Sequence, residues 1–306
     1  MQPLFFTGGY DDSILRWDVS AANLLQRTTF EFTMNRMVIS PDATYLAVAS
    51  NPHVKIYDVK TRMVAPTKSY EAHKGNVTGI GISREGQYIY TSSEDGTAKI
   101  WEPQTCSTYR DCSFGSPCNC IILHPNQAEL IVGTQDGRIC VWNAKTNSIT
   151  QTVVPDKGES IQSIDVTYDG MEIALVTTKG KCFIYTTNMK NGMIGELKMY
   201  KEFEAHQNFV TCCKYSPNTV YLATSSADNT IKLWKRKPSY QHEKTLQGHT
   251  GWVWDVCFSN NNEYLISAST DGSARLWQIK IGEEIQKYSQ NDKGLVCLAL
   301  FDKPTL

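Results

Sequence analysis

Charge of one sign is scarce in this sequence: 30 Lys and Arg stand against 31 Asp and Glu, a formal net charge of −1. A surface so balanced has no field with which to gather nucleic acid or an acidic membrane. The basic run Lys235-Arg236-Lys237 is short, follows an apolar segment, and reads as a solvated hairpin tip. Long apolar runs are missing too, and nothing approaches the roughly 18 consecutive apolar residues of a spanning helix. The start, through Phe5 and Phe6, has neither a basic stretch nor an extended apolar core, so no export signal is expected. Ten cysteines are present, but Cys118 and Cys120, or Cys212 and Cys213, are not at metal-ligand spacing. Cys140, Cys182, Cys257 and Cys297 fall inside apolar strands, where Cys packs as a small hydrophobe. Asn76-Val77-Thr78 is a formal glycosylation sequon, expected to stay unused without export. Phosphate-loop, zinc-protease, nucleophile-elbow and kinase motifs are all missing. The expectation is a cytoplasmic non-enzyme with no cofactor, metal, nucleic acid, small-molecule substrate or inserted membrane segment.

What the sequence does contain is repetition. In GHTGWVWDVCFSNNNEYLISASTDGSARLW, His249 stands 22 positions before Asp271, and Trp277 stands 6 after it. His73, Asp95 and Trp101 repeat those offsets, as do His206, Asp228 and Trp234. A tight polar turn and an aromatic at fixed places in a unit of about 40–45 residues mark the WD repeat, one four-stranded propeller blade. The third-strand aromatics form a column: Trp17, Tyr57, Trp101, Trp142, Tyr185, Trp234 and Trp277. Six positions earlier stand Asp11, Asn51, Asp95, Asp136, Lys179, Asp228 and Asp271, mostly residues suited to hairpin corners. The widest gap, from Tyr185 to Trp234, places an insertion in the fifth unit, with 186–196 as the longest irregular piece.

The chain begins part-way through a unit, with second, third and fourth strands but no first. The missing strand is 295–301, which pairs back to close the ring and leave no exposed edge. The fold class is therefore all-β, a closed seven-bladed propeller in one domain. Its blades run 4–30 with 295–301, then 34–70, 76–113, 118–153, 160–204, 209–246 and 252–288.

Three units unite a His, a hydroxyl, an Asp and a Trp: His73, Thr91, Asp95 and Trp101; His206, Thr224, Asp228 and Trp234; His249, Ser267, Asp271 and Trp277. Hydrolase triads share these residue types, yet a nucleophile needs exposure beside an oxyanion hole and needs to occur once. Threefold recurrence, always with an indole, points instead to a structural hydrogen-bond chain. Blades two, four and five lack the His, and blade five also lacks the Asp and Trp, so these blades are expected to rely on packing. Asn291 stands at the His position of the closing blade.

First-strand starts surround a propeller's central mouth and are natural partner contacts. The residues there are Asn76 and Thr78, Phe209 and Thr211, Trp252 and Trp254, together with Asn35, Asn119 and Gln162. Two Trp at one strand start suggest an interface anchor, although both would also serve as wedges against the next blade.

LHPNQAELIVG at 123–133, LATSSADNTIKLW at 222–234, GWVWDVCFS at 251–259 and VCLALFD at 296–302 carry a closer likeness. Through these segments the chain resembles the WD-repeat subunit of the target of rapamycin (TOR) kinase complexes, the G-protein-β-subunit-like protein. The HPNQAE turn is the most specific, because blade geometry does not require it. The resemblance implies a non-catalytic subunit whose mouth binds an insertion in the kinase-domain C-lobe beside other complex subunits. Growth signalling on nutrient supply and regulation of the actin cytoskeleton would follow, with any place on endosomal, lysosomal or vacuolar membranes reached through partners. The alternative is a generic scaffold or substrate-receptor propeller of another intracellular complex. A G-protein β subunit would need an N-terminal coiled-coil helix, where this chain enters a strand by Leu4.

Overall fold

Second strands such as Glu129–Thr134 and Tyr264–Ser269 are buried along almost their whole length. Fourth strands such as Leu24–Thr29 and Lys198–Glu204 alternate between covered and exposed residues. That gradient suits sheets stacked face to face around an axis, covered on both faces inside and wet at the rim. The computed structural model, which describes residues 3–61, 63–71, 73–289 and 293–302, has this architecture.

Seven four-stranded antiparallel sheets form the ring, a seven-bladed β-propeller. Six follow chain order, and the seventh runs Leu24–Thr29, Ser13–Trp17, Leu4–Gly9, Leu295–Phe301. The closing ladder pairs Leu4 with Phe301 and Gly8 with Cys297. The other first strands are Met34–Ile39, Val77–Ile82, Cys118–Leu123, Ile161–Val166, Val210–Tyr215 and Val253–Phe258, and each packs against the next around the axis. Apolar side chains gather in seven clusters, one at each joint between neighbouring blades. A blade therefore has no core of its own, and cohesion is nearest-neighbour.

Two irregularities recur. In six blades the third-to-fourth ladder slips at the column aromatic, for example between Leu276 and Trp277. In blades two to seven the first-to-second ladder slips at the second residue of the first strand. Hairpin corners take positive φ where expected, as at Gly180 (85°), whose Cα lies so near the His206 carbonyl that an added Cβ would sit 2.1 Å from it.

Two expectations need correction. The insertion is not irregular: Met189–Lys190 and Met193–Ile194 form a small hairpin of their own. Nor is 235–237 a solvated tip throughout. Arg236 Nη2 lies 2.8 Å from Glu172 and 3.7 Å from Asp169, tying blade six to blade five.

Candidate partner interface

The His-bearing blades share one network. In blade three His73 Nδ1 lies 2.9 Å from Asp95 Oδ2, His73 Nε2 lies 2.8 Å from Thr91 Oγ1, and Trp101 Nε1 donates to that same hydroxyl at 2.9 Å. A neutral imidazole satisfies every group: the indole N–H donates to the hydroxyl, the hydroxyl O–H to Nε2, and Nδ1–H to the carboxylate. Blade six repeats this at 2.8, 2.8 and 2.9 Å through His206, Asp228, Thr224 and Trp234. Blade seven repeats it at 2.8, 2.7 and 2.8 Å through His249, Asp271, Ser267 and Trp277. The three hydroxyls are wholly buried, which removes them as nucleophiles. Burial alone would raise the Asp95 carboxyl, but Thr97, the Lys74 amide and His73 overturn that and hold it at about 2. Asp228 is held at about 2 by His206 and Thr230 against the same burial. Burial also depresses His73, in keeping with a neutral ring.

The remaining blades are not left to packing alone. In blade five Glu159 is buried, accepts from Thr177 Oγ1 at 3.0 Å and pairs with Lys179 at 2.8 Å. In blade four Trp142 Nε1 donates to Asn147 Oδ1 at 3.1 Å. In blade two Lys55 is buried between Phe30 and Phe32 and meets Glu31 at 2.8 Å. In blade one Trp17 Nε1 donates to Thr7 Oγ1 at 2.9 Å, a pair readable from its spacing of ten, the Thr91-to-Trp101 spacing. Asn291 lies outside the described residues.

The sequence-derived mouth residues divide in two. Asn35, Thr78, Asn119, Gln162, Thr211 and Trp254 are the bulged residues of their first strands. Four of them latch onto the next blade. Asn35 Nδ2 donates to Asn76 Oδ1 and, at 2.9 Å, to the Val77 carbonyl. Thr78 Oγ1 reaches the Cys118 carbonyl at 2.6 Å, and Asn119 Nδ2 the Ile161 carbonyl at 2.9 Å. Thr211 donates to the Val253 carbonyl and is 3% exposed, so it is a joint and not a surface contact. Gln162 instead turns back to Ser160, at 3.1 Å.

Where latches lapse, carboxylates that the sequence reading passed over take their place. Asp165 of blade five accepts from the Tyr215 amide at 2.6 Å and pairs with Lys214 at 3.2 Å. Asp255 of blade seven accepts from the Leu298 amide at 3.2 Å and pairs with Arg36, past blade one in blade two, at 2.8 Å. Burial would lower both cations, yet Asp255 and Asp165 hold them above their ordinary values. A charge inside an apolar first strand was the available signal. Arg36, Lys214 and Asp255 help line a central cavity of about 310 Å³.

Phe209, Trp252 and Trp254 do come together. Phe209 and Trp252 stack at 6.3 Å, Trp252 and Trp254 lie 5.8 Å apart, and Phe209 meets Trp254 edge-on at 6.4 Å. Trp252 is 44% exposed, while Trp254 Nε1 is buried with no acceptor among the described residues. The HPNQAE turn also acquires a physical role. His124 Nε2 meets the Gly170 carbonyl at 2.9 Å, Asn126 Nδ2 reaches the Gly192 carbonyl at 3.2 Å, and buried Glu129 accepts from the Ile194 amide at 2.6 Å. The turn clamps the blade-five hairpin onto blade four.

Four segments, 65–102, 105–143, 197–235 and 240–278, match the family described as "WD domain, G-beta repeat". Each ends on or just past a column Trp, and the unmatched units hold Tyr57, Tyr185 or the split first blade. Over 305 residues the chain is 38% identical to the target of rapamycin complex subunit LST8 of Saccharomyces cerevisiae, covering 99% of this chain and 100% of that protein. The chain belongs to the LST8 family. Other LST8-type relatives include the target of rapamycin complex subunit wat1 of Schizosaccharomyces pombe, 39% identical over 79% of this chain and 78% of its own. The Arabidopsis thaliana subunit LST8-1 is 35% identical over 79% of each chain. The LST8 likeness thus spans the ring from the first blade through the strand that closes it.

Proposed function

We propose that this chain is a non-catalytic subunit of TOR complexes that binds the TOR kinase domain through the Trp252 side of its mouth. The observation carrying this reading is the Phe209–Trp252–Trp254 cluster, where a large aromatic stands 44% exposed at a strand start. Exposed Trp beside further aromatics is the composition of an interface anchor. The names of the LST8 relatives supply the complex in which that anchor would act. The occupant is an insertion in the kinase C-lobe, which a ring closed by its own terminal strand holds in one conformation beside the active-site cleft. The chain works in the cytoplasm in growth signalling on nutrient supply and in actin organisation, and meets endosomal, lysosomal or vacuolar membranes through its partners.

The test is co-purification of the kinase with the full-length Trp252→Ala and Trp254→Ala double variant. Association is expected to fall at least about tenfold, the scale of an anchor residue, with the fold intact by circular dichroism. Unchanged kinase recovery with an intact fold would sink the proposal.

A further inference from the structure

On the face opposite the mouth, a cleft of about 570 Å³ opens between blades three and four, bordered by the turns at 83–88 and 124–128. Its floor is apolar, with Ile100, Leu123 and Leu130. One wall is Tyr88 and Tyr109, whose rings stack 5.4 Å apart although they are 37% and 51% exposed. The Arg84 amide donates to Gln127 Oε1 at 2.9 Å, which joins the two turns at the rim.

The charges are one-sided, in contrast with the chain as a whole. Arg84, Arg110 and Lys145 line the cleft, and Glu85 is the sole carboxylate among its lining residues, where it already accepts from Gln87 Nε2 at 2.9 Å. Arg84 lies over the Tyr168 ring at 4.9 Å. The Arg110 guanidinium sits 5.0 Å over the Tyr109 ring, and its Nε is buried with no acceptor among the described residues. A guanidinium in the cleft lining offers charge-assisted hydrogen bonds to a carboxylate. A flat aromatic wall beside it offers dispersion and burial to an apolar side chain.

We propose that this cleft binds a peptide segment of a partner protein through one aromatic or long aliphatic side chain flanked by carboxylates. The apolar side chain lies against Tyr88 and Tyr109 over the apolar floor, and the carboxylates meet Arg110 and Lys145. Because the cleft and the Trp252 cluster are on opposite faces, both are open to occupation at once. The inference goes beyond the kinase reading and does not depend on it.

The test pans a phage library of random dodecapeptides over the immobilised full chain. The expected consensus is an aromatic or Leu with Asp or Glu within a few positions and few Lys or Arg. A synthetic peptide of that consensus is expected to bind at least about tenfold more weakly to the Tyr109→Ala, Arg110→Glu variant. Trp252→Ala is expected to leave its affinity unchanged, which separates this site from the kinase proposal. If the paired variant melts early, Arg110→Gln alone serves, with loss of the acidic preference as the readout. No consensus, a consensus without acidic residues, or binding that survives these substitutions would overturn the inference.

Discussion

Blade seven and blade five are built on the same four-stranded plan, yet they satisfy their buried polar groups by opposite means. Blade seven places His249 between Asp271 and Ser267, with the Trp277 indole donating to the same hydroxyl. Blade five buries the carboxylate of Glu159, bonds it to Thr177 and neutralises it with Lys179, whose side chain is 68% exposed. The geometry explains the exchange. His249 stands four residues before its first strand and Glu159 only two, so a shorter approach brings a longer acid to the same layer. The repeated requirement is that no buried polar group go unpaired; the His–Asp pair is one way to meet it. The same two blades hold the carboxylates that join first strands at the axis, Asp165 and Asp255.

The largest expected effect breaks the second of those joints. Asp255→Ala leaves Arg36 partly buried without its partner and should cost about 3–5 kcal/mol in urea unfolding. The corresponding loss of Asp165 should be milder, because the side chain of Lys214 is 39% exposed and able to rehydrate. Next comes His249→Ala, which strands Asp271 and the Ser267–Trp277 pair and should cost about 2–3 kcal/mol. A cost no greater than that of a surface alanine would mean that the network is decorative.

Acid should act more gently and mainly on the His-bearing blades. Asp95 and Asp228 have folded-state pKa values of about 2, below the ordinary 3.8. Their contribution is therefore complete above about pH 4 and lost as pH falls through about 2, about 1–2 kcal/mol for each carboxylate. Asp95→Asn should flatten that limb of a stability-against-pH curve. The smallest effect belongs to Glu159→Gln. It keeps the length and a hydrogen bond for Thr177 while giving up a pair with a largely exposed Lys, so less than about 1 kcal/mol is expected. A loss as large as that of His249→Ala would show that blade five depends on charge after all.

The ring itself was legible because its signal is periodic. A corner residue and an aromatic six positions apart fix the hairpin, and a leftover apolar strand at 295–301 has one edge to fill. What escaped was aperiodic. Glu159 lies outside the His column because it stands two residues nearer its first strand, and Lys179 in the Asp column looked like a gap. Asn35, Thr78, Asn119 and Thr211 were picked out by position, but a bulge turns each toward the neighbouring blade. Nothing local reveals that twist. HPNQAE stood out as unnecessary for a blade, yet its partner at Ile194 is 65 residues away. Of the mouth residues singled out, only Trp252 is exposed, and its identity alone left a wedge against the next blade equally open.

The closing ladder also sets a timetable. Leu4–Gly9 is buried from end to end in the finished ring, and one of its two edges is paired only by Leu295–Phe301. During synthesis Leu4–Gly9 must therefore wait until the other six blades have been made before that edge is capped. An arc of finished blades would meanwhile expose an apolar strand with free amides and carbonyls, the template on which chains stick to one another. Such a ring is most vulnerable just before its closing strand is made, and its yield in a cell should depend on how well that interval is guarded.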